Sequence, residues 1–147
     1  MNKDVSNGFD VKKYQPFNQV IYNDLIVLIT SLDSTKGKYI IGNSSKTIDE
    51  VKLKPIPISS EVLKNCFPNP KPLETTDYYR WSFKCNKSEV TVSIKEEGYR
   101  CEIESNGEYL YDGTIKYLHE LQNLVREHTK HILQCNSNEM HRKANLI

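Results

Sequence analysis

Three side chains toward the end of the chain have the types and spacing of metal ligands. His128, His131 and Cys135 fall at positions i, i+3 and i+7, so one helix would direct all three at one ion. Zinc would need a fourth ligand, and His119 lies too many turns away to supply it. The alternative is a polar helix end, where histidine is favoured by the negative end of the helix dipole. We therefore predict no metal site and no cofactor.

Acid–base chemistry is suggested by the neighbours His119 and Glu120, because histidine titrates near neutral pH. The sequence places no Gly-rich elbow, paired carboxylate or activated nucleophile beside them. It also has no G-x-x-x-x-G-K or G-x-G-x-x-G segment, the loops that cradle phosphates. We predict a protein that is not an enzyme and has no catalytic residues.

Aromatic and basic side chains alternate with apolar ones between residues 78 and 111, and they form one candidate binding surface. This surface serves a protein partner, since Tyr and Arg are enriched at binding hot spots, or a nucleic acid, since rings stack on bases. Glu102 and Glu104 lie among them and oppose phosphate binding. A third interpretation is a solvated sheet face, or one packed on the N-terminal strands. The candidate residues are Tyr78, Arg80, Lys84, Arg100, Tyr109 and Tyr111.

Composition bounds the class of protein. The chain has 147 residues, 37% of them hydrophobic and 27% charged, which is typical of one globular domain. Its net charge of +1 lacks the basic excess of most duplex-binding proteins. No apolar signal segment occurs in the first 24 residues and the run Leu25–Ile29 is too short to span a bilayer, so we predict a cytoplasmic protein. In that compartment free thiols are expected at Cys66, Cys85, Cys101 and Cys135.

The N-terminal half predicts strands after a flexible arm at residues 1–17. Apolar runs at Val20–Leu32 and Lys38–Ile41, and the alternation from Val51 to Ile58, indicate a small curved sheet or partial barrel. Pro55 and Pro57 must lie on an edge or leave the sheet. A short helix follows, capped by Ser59 or Ser60 and burying Val62, Leu63 and Phe67.

The C-terminal half predicts a four-stranded antiparallel meander at about 78–84, 89–95, 99–104 and 108–112. Asn106-Gly107 is a strong two-residue hairpin signal and sets Ile103 opposite Leu110. Four-residue loops set Val90 opposite Ile103 and Trp81 opposite Val92, so that every pair is apolar.

A long helix should cover the apolar face of this meander. Asp112-Gly113-Thr114 offers a cap, and residues 115–134 contain no Gly or Pro. If the meander is not the binding surface, the polar side of this helix, around Lys116, His119, Asn123 and Arg126, is the next candidate. The sequence thus predicts a single α+β domain at 18–135, comprising 18–67 and 77–135, with a polar tail at 136–147.

Two segments together resemble a known family. They are Pro55-Ile56-Pro57-Ile58-Ser59-Ser60-Glu61, followed by Leu63 and Phe67, and Gly113-Thr114-Ile115-Lys116-Tyr117-Leu118-His119-Glu120-Leu121-Gln122-Asn123-Leu124. This pairing is similar to uncharacterised proteins of Bacteroidetes chromosomes, prophages and phages, over roughly residues 20–128. The family has no assigned catalytic residues, so the resemblance implies a mobile-element setting and no chemistry.

That setting gives the leading functional expectation. Small phage proteins of this kind often inhibit host defence, and anti-CRISPR proteins that act on RNA-guided nucleases are the first example. We therefore expect a non-enzymatic binding protein whose partner is a host protein in the cytosol, with a nucleic acid not favoured. The alternatives are a nucleic-acid-binding accessory protein that uses the outer sheet face, and a scaffold protein that pairs through the long helix.

Overall fold

A computed structural model describes residues 13–33, 38–42, 47–66, 80–85, 87–95 and 98–135. The predicted tail at 136–147 lies outside these residues. This part of the chain forms two four-stranded antiparallel sheets with helices packed on them, which confirms the α+β class. The elements are β1 (Gln19–Tyr22), β2 (Leu25–Asp33), β3 (Lys38–Ile41), β4 (Thr47–Asp49), a 3-10 turn (Glu50–Lys52), α1 (Ser60–Cys66), β5 (Arg80–Cys85), β6 (Ser88–Lys95), β7 (Gly98–Ser105), β8 (Glu108–Ile115) and α2 (Leu118–Thr129).

The first sheet is open, with strand order β1-β2-β3-β4, so the predicted partial barrel is wrong. Asn23 and Asp24 join β1 to β2 with φ angles of 51° and 64°, the conformation of a type I′ hairpin turn. The predicted strand through Val51 is also wrong. Val51 lies in the 3-10 turn with 88% of its surface exposed. The strand that follows β3 in the sheet is β4, which ends just before this turn.

The segment that contains the two prolines links the sheets. Ile21 and Lys54 exchange backbone hydrogen bonds of 2.8 and 2.9 Å, and Pro57 lies opposite Tyr117 in a second bridge. In that bridge the N–H of Ile58 donates to Lys116 and the N–H of Leu118 donates to Ile56. Neither bridge needs a proline N–H, which explains how both prolines fit beside strands.

The short helix α1 begins as predicted. The hydroxyl of Ser59 accepts a hydrogen bond of 3.2 Å from the N–H of Val62, and Val62 and Leu63 are buried. Phe67 lies outside the described residues.

A disulfide joins the end of α1 to the C-terminal segment. It pairs Cys66 with Cys135, so the prediction of four free thiols is wrong for these two, while Cys101 is a free, buried thiol. Their 69-residue separation gave no sequence signal, because only the return of the chain along α1 brings them together.

The register of the meander is confirmed across its first three strands. Trp81 pairs with Val92, Val90 with Ile103, and Val92 with Cys101. The last pairing differs, because Ile103 lies opposite Tyr111 rather than Leu110. A β-bulge after Ile103 adds one residue to β8, and this exchanges the faces of the residues that follow it.

The C-terminal helix is shorter than predicted at both ends. Residues 113–115 complete β8, so the predicted cap at Asp112–Thr114 is wrong and α2 begins at Leu118. The carboxylate of Glu120 accepts hydrogen bonds from the N–H groups of Lys116 and Tyr117, which stabilises this start. The helix ends at Thr129, and its C-cap residue Lys130 has a left-handed φ of 66°.

The first two turns of helix α2 are enclosed on all sides, because every residue from Leu118 to Val125 is buried, whereas Arg126 in the last turn is exposed. Its apolar side chains join Val90, Val92 and Ile103 in the main core, as the helical spacing predicted. A surface helix would show an exposed stripe at a 3.6-residue period, so α2 is a central helix.

Amide side chains of α2 bind the N-terminal strand and the C-terminal segment. Gln122 accepts from the N–H of Gln19 and donates both to the Gln19 side chain and to the carbonyl of Leu133, each at 3.0 Å. Gln19 in turn donates to the carbonyl of Cys135 and accepts from its N–H. This cluster of Gln19, Gln122 and the backbone of residues 133–135, here called the amide network, is buried.

Residues 13–17 pack against the same helix, although the sequence assigned them to a flexible arm. Tyr14 is buried, and the Asn123 side chain donates to the carbonyl of Lys13 at 2.7 Å. The side chain of Asn18 donates to Asn123 at 2.8 Å. The domain therefore extends to at least Lys13, and residues 1–12 lie outside the described part.

Replacing Gln19 or Gln122 by methionine tests the amide network. Each single change leaves buried backbone groups without partners, so we expect a loss of about 2 kcal/mol in the free energy of unfolding. The double variant should lose less than the sum, with a coupling of about 1 kcal/mol, measured by urea denaturation. Strict additivity would show that the two amides do not act together.

Candidate functional site

The predicted binding face of the meander is only partly available. Tyr78 lies outside the described residues, and of Arg80 only the backbone is described, paired with Ser93. Lys84 is exposed and lies opposite Glu89. The guanidinium of Arg100 donates to both carboxylate oxygens of Asp112, at 2.7 and 2.9 Å. Arg100 is therefore engaged within the sheet.

The bulge separates the two tyrosines that were expected on one face. Tyr109 lies opposite Glu104 and is 59% exposed, as predicted. Tyr111 lies opposite Ile103 and packs against the main core, so its prediction as a surface residue is wrong. Its ring lies over Gly113, where a Cβ would come within 2.6 Å of the phenol oxygen. The absence of a side chain at Gly113 leaves the space that the Tyr111 ring occupies.

Acidic side chains dominate what remains of the outer face. Glu102 lies opposite Asp112 and Thr91, and Glu89 lies opposite Glu104. The hydrogen bond from Arg100 holds the pKa of Asp112 below its usual range, so this carboxylate is charged at neutral pH. A face with these four carboxylates repels phosphates, which argues against nucleic acid as its ligand.

Two other predicted groups do not assemble. His128, His131 and Cys135 do not share a helix, because α2 ends at Thr129 and Cys135 belongs to the disulfide. Within the described residues, no three His, Cys, Asp or Glu side chains converge as metal ligands would. Of the candidate polar side of α2, His119 and Asn123 are buried, whereas Arg126 is exposed, as is Lys116 just before the helix.

An exposed aromatic residue in a strained turn was missed by the sequence analysis. The N–H of Asn18 donates to Gln15 at 3.1 Å, which closes a β-turn with Pro16 and Phe17 at its centre. Proline fixes a negative φ at the first central position, while Phe17 has a φ of 75°. This combination is a type II turn, in which the second central residue is normally glycine. Phenylalanine there carries steric strain of about 1–2 kcal/mol.

The contacts around the turn show what holds Phe17 in this conformation. Its N–H donates to the carbonyl of Ile29 at 2.6 Å, and Arg126 donates to the carbonyl of Pro16 at 3.0 Å. The Arg126 guanidinium also lies 5.3 Å from the centre of the Phe17 ring, a cation–π distance. The ring itself is 36% exposed.

A groove of about 460 Å³ lies beside this turn, between it and the end of α2. Arg126 and Lys130 line it together with Glu127, and Ile132 at its rim is 43% exposed. We call Phe17, Arg126, Lys130 and Ile132, with the groove between them, the Phe17 patch. Pro16 and Arg126 were its sequence signals. A Pro-Phe pair predicts a turn but not a left-handed phenylalanine, and Arg126 was expected only as part of the polar side of the helix.

Comparison with protein families, with curated proteins and with solved structures finds no match to this chain. Among the described residues, neither helix has the length and apolar character needed to cross a bilayer.

The half-buried His128 predicts a pH dependence of stability. Burial lowers the pKa of His128 below its usual 6.5, and its ring lies 6.0 Å from that of Tyr111. The unfolded chain therefore binds a proton more readily, so stability should fall as pH drops below about 6.5. Urea denaturation between about pH 7 and about pH 5 should show a shallower fall for His128→Gln than for the wild type.

The matched control is His131→Gln, which removes an exposed histidine three residues away and so separates the effect of burial from that of losing a histidine. Equal slopes in the wild type and His128→Gln would contradict the assignment.

Proposed function

We propose that this chain is a non-enzymatic binding protein, encoded by a phage or another mobile element, that binds a host protein through the Phe17 patch. The single observation that carries the proposal is the exposed Phe17 held in a conformation that suits glycine. Strain of this kind persists when surrounding contacts enforce it, and it clusters at binding and catalytic sites.

Packing in the core does not explain why a phenylalanine occupies position 17. Its partners are Arg126, itself exposed, and the backbone of Ile29. A glycine would relieve the strain and preserve the same turn. An aromatic ring beside a guanidinium is, in contrast, the composition of a protein–protein hot spot. The residue type at position 17 therefore favours recognition over stability.

The patch also indicates the chemistry of its partner. Phe17 and Ile132 offer exposed apolar area, and the basic side chains Arg126 and Lys130 line the groove together with Ile132. Glu127 is the one acidic residue among those that line the groove. A partner surface with an apolar pocket bordered by carboxylates would complement both features.

The resemblance of residues 55–61 and 113–124 to Bacteroidetes and phage proteins supports a target in host defence. An RNA-guided antiviral nuclease is the first such target to test. We place this binding in the host cytosol, a reducing compartment in which the Cys66–Cys135 disulfide would be an exception.

The two alternatives have less support. A nucleic-acid-binding protein would need a basic outer face, whereas Glu89, Glu102, Glu104 and Asp112 lie there. A scaffold protein that pairs through α2 would need a free helix face, and the residues from Leu118 to Val125 are all buried.

Phe17→Gly should raise stability and abolish binding. Glycine relieves the left-handed strain, so the free energy of unfolding should rise by about 1 kcal/mol. Loss of the ring should weaken partner binding at least about tenfold, as for a hot-spot residue. Stability is measured by urea denaturation, and function by phage growth in Bacteroidetes cells that carry an active RNA-guided nuclease, with binding to that purified nuclease measured directly.

Val51→Ala is the matched control, because it shortens an exposed apolar side chain far along the sequence from the patch. Tyr109→Ala tests the outer face of the meander in the same assays. Full activity of Phe17→Gly, with loss in Tyr109→Ala, would move the binding surface to the meander. A wild-type chain that neither restores phage growth nor binds the nuclease would refute the nuclease as target.

A further inference from the structure

A second cleft, of about 360 Å³, lies where the link between the sheets meets the start of α2. Tyr14, Tyr117 and His119 supply its rings, Leu53 and Pro55 its aliphatic wall, and Glu50 and Glu120 its carboxylates. We call it the tyrosine cleft. It is separate from the Phe17 patch, with which it shares no lining residue.

The rings of the cleft are held in fixed relative positions. Both tyrosine rings lie against His119. The Tyr14 ring meets it edge to face with ring centres 4.7 Å apart, and the Tyr117 ring stacks on it with centres 5.8 Å apart and planes 15° apart. Behind them, Tyr39 packs edge to face against Tyr14 at 5.8 Å. Tyr14 and Tyr39 are both buried, so the rings are supported by the fold rather than by solvent contact.

The cleft has one exposed carboxylate that can face a cation. No Lys or Arg belongs to its described lining, and of its two carboxylates Glu50 is exposed, whereas Glu120 is buried and accepts hydrogen bonds from the N–H groups of Lys116 and Tyr117. Burial raises the pKa of Tyr14, and the charge of Glu50 raises it further. Burial and then Glu50 raise the pKa of Tyr39 to about 12, so both phenols are neutral at physiological pH. A cation in the cleft would meet the half-buried Tyr117 ring and the exposed Glu50 carboxylate together.

We propose that the tyrosine cleft binds a methylated ammonium group. Aromatic faces attract cations through their quadrupoles, and the attraction is strongest where the cation is poorly hydrated, as a methylated ammonium is. The aliphatic wall of Leu53 and Pro55 suits its methyl groups, and the exposed Glu50 complements its charge.

The start of α2 does not make the cleft an anion site. Helix N-termini attract anions through free N–H groups. Here the N–H groups of Lys116 and Tyr117 donate to Glu120, and that of Leu118 donates to Ile56. The carboxylate of Glu120 therefore occupies the place that an anion would take.

Choline and its uncharged carbon analogue 3,3-dimethylbutan-1-ol provide a matched pair of probes for the full chain. They have the same shape and differ in charge, so the difference in their dissociation constants isolates the contribution of the cation. Choline should bind at least about fivefold more tightly, as measured by NMR titration. Equal affinity for the two probes, or no response to choline, would overturn the proposal.

Substitutions of exposed carboxylates locate the site, because they change its charge without removing a buried side chain. Glu50→Gln changes an exposed carboxylate of the cleft and should weaken choline about fivefold, while Glu89→Gln, exposed on the meander, should have no effect. Tyr117→Leu should weaken choline and abolish its preference over the alcohol. Equal effects of Glu50→Gln and Glu89→Gln would mean general charge attraction and would also overturn the site.

A peptide that carries trimethyllysine distinguishes the natural source of the group. Tighter binding of this peptide than of choline, with no binding of the unmodified peptide, would assign a methylated protein side chain. Equal binding of the peptide and choline would assign a small free cation. If Phe17→Gly kept full partner binding, the proposal for the Phe17 patch would fail while the proposal for the tyrosine cleft would stand, because the two sites share none of their described residues.

Discussion

Because the first two turns of helix α2 are enclosed on all sides, every polar group that they carry into the interior must find a partner within the protein. An unpartnered buried amide would destabilise the fold by about 1–3 kcal/mol, so such groups constrain everything around them. Gln122 fixes the positions of Gln19 and the carbonyl of Leu133, and Asn123 fixes those of Asn18 and Lys13. The packing of residues 13–19 and of Leu133 follows from two consecutive amides on one helix.

The strained turn is a consequence of the same constraint. Asn18 bonds with both its side-chain atoms, accepting from the N–H of Gln15 at 2.6 Å and donating to Asn123. The chain must therefore reverse between Gln15 and Asn18, with Pro16 and Phe17 at the corner. The fold dictates the left-handed position, but not the residue that occupies it. The choice of phenylalanine at that position is what links the architecture to binding.

The sequence predicted those parts of the fold in which local pattern and loop length determine the outcome. The register of β5 to β7 followed from alternation and two short loops. The predicted register was wrong at β8, because the alternation of apolar residues does not reveal a bulge. The bulge is recognised only from the position of the Tyr111 ring over Gly113. The amide network, the disulfide and the Phe17 patch all depend on contacts between distant residues. Hydrophobic periodicity describes an element's own faces and carries no information on such contacts.

The span of the amide network also sets the order in which the molecule is completed. Gln19 bonds to Cys135 across 116 positions of sequence, and Asn18 to Asn123 across 105. During translation the N-terminal strand would emerge roughly 6–20 s before Cys135 does. Until residues 122–135 emerge, the Gln19 side chain and the amide nitrogen of Asn18 lack these partners. The first sheet therefore stays without these hydrogen-bond partners while the rest of the chain is translated. It is the part of the chain that a nascent-chain chaperone would be expected to bind.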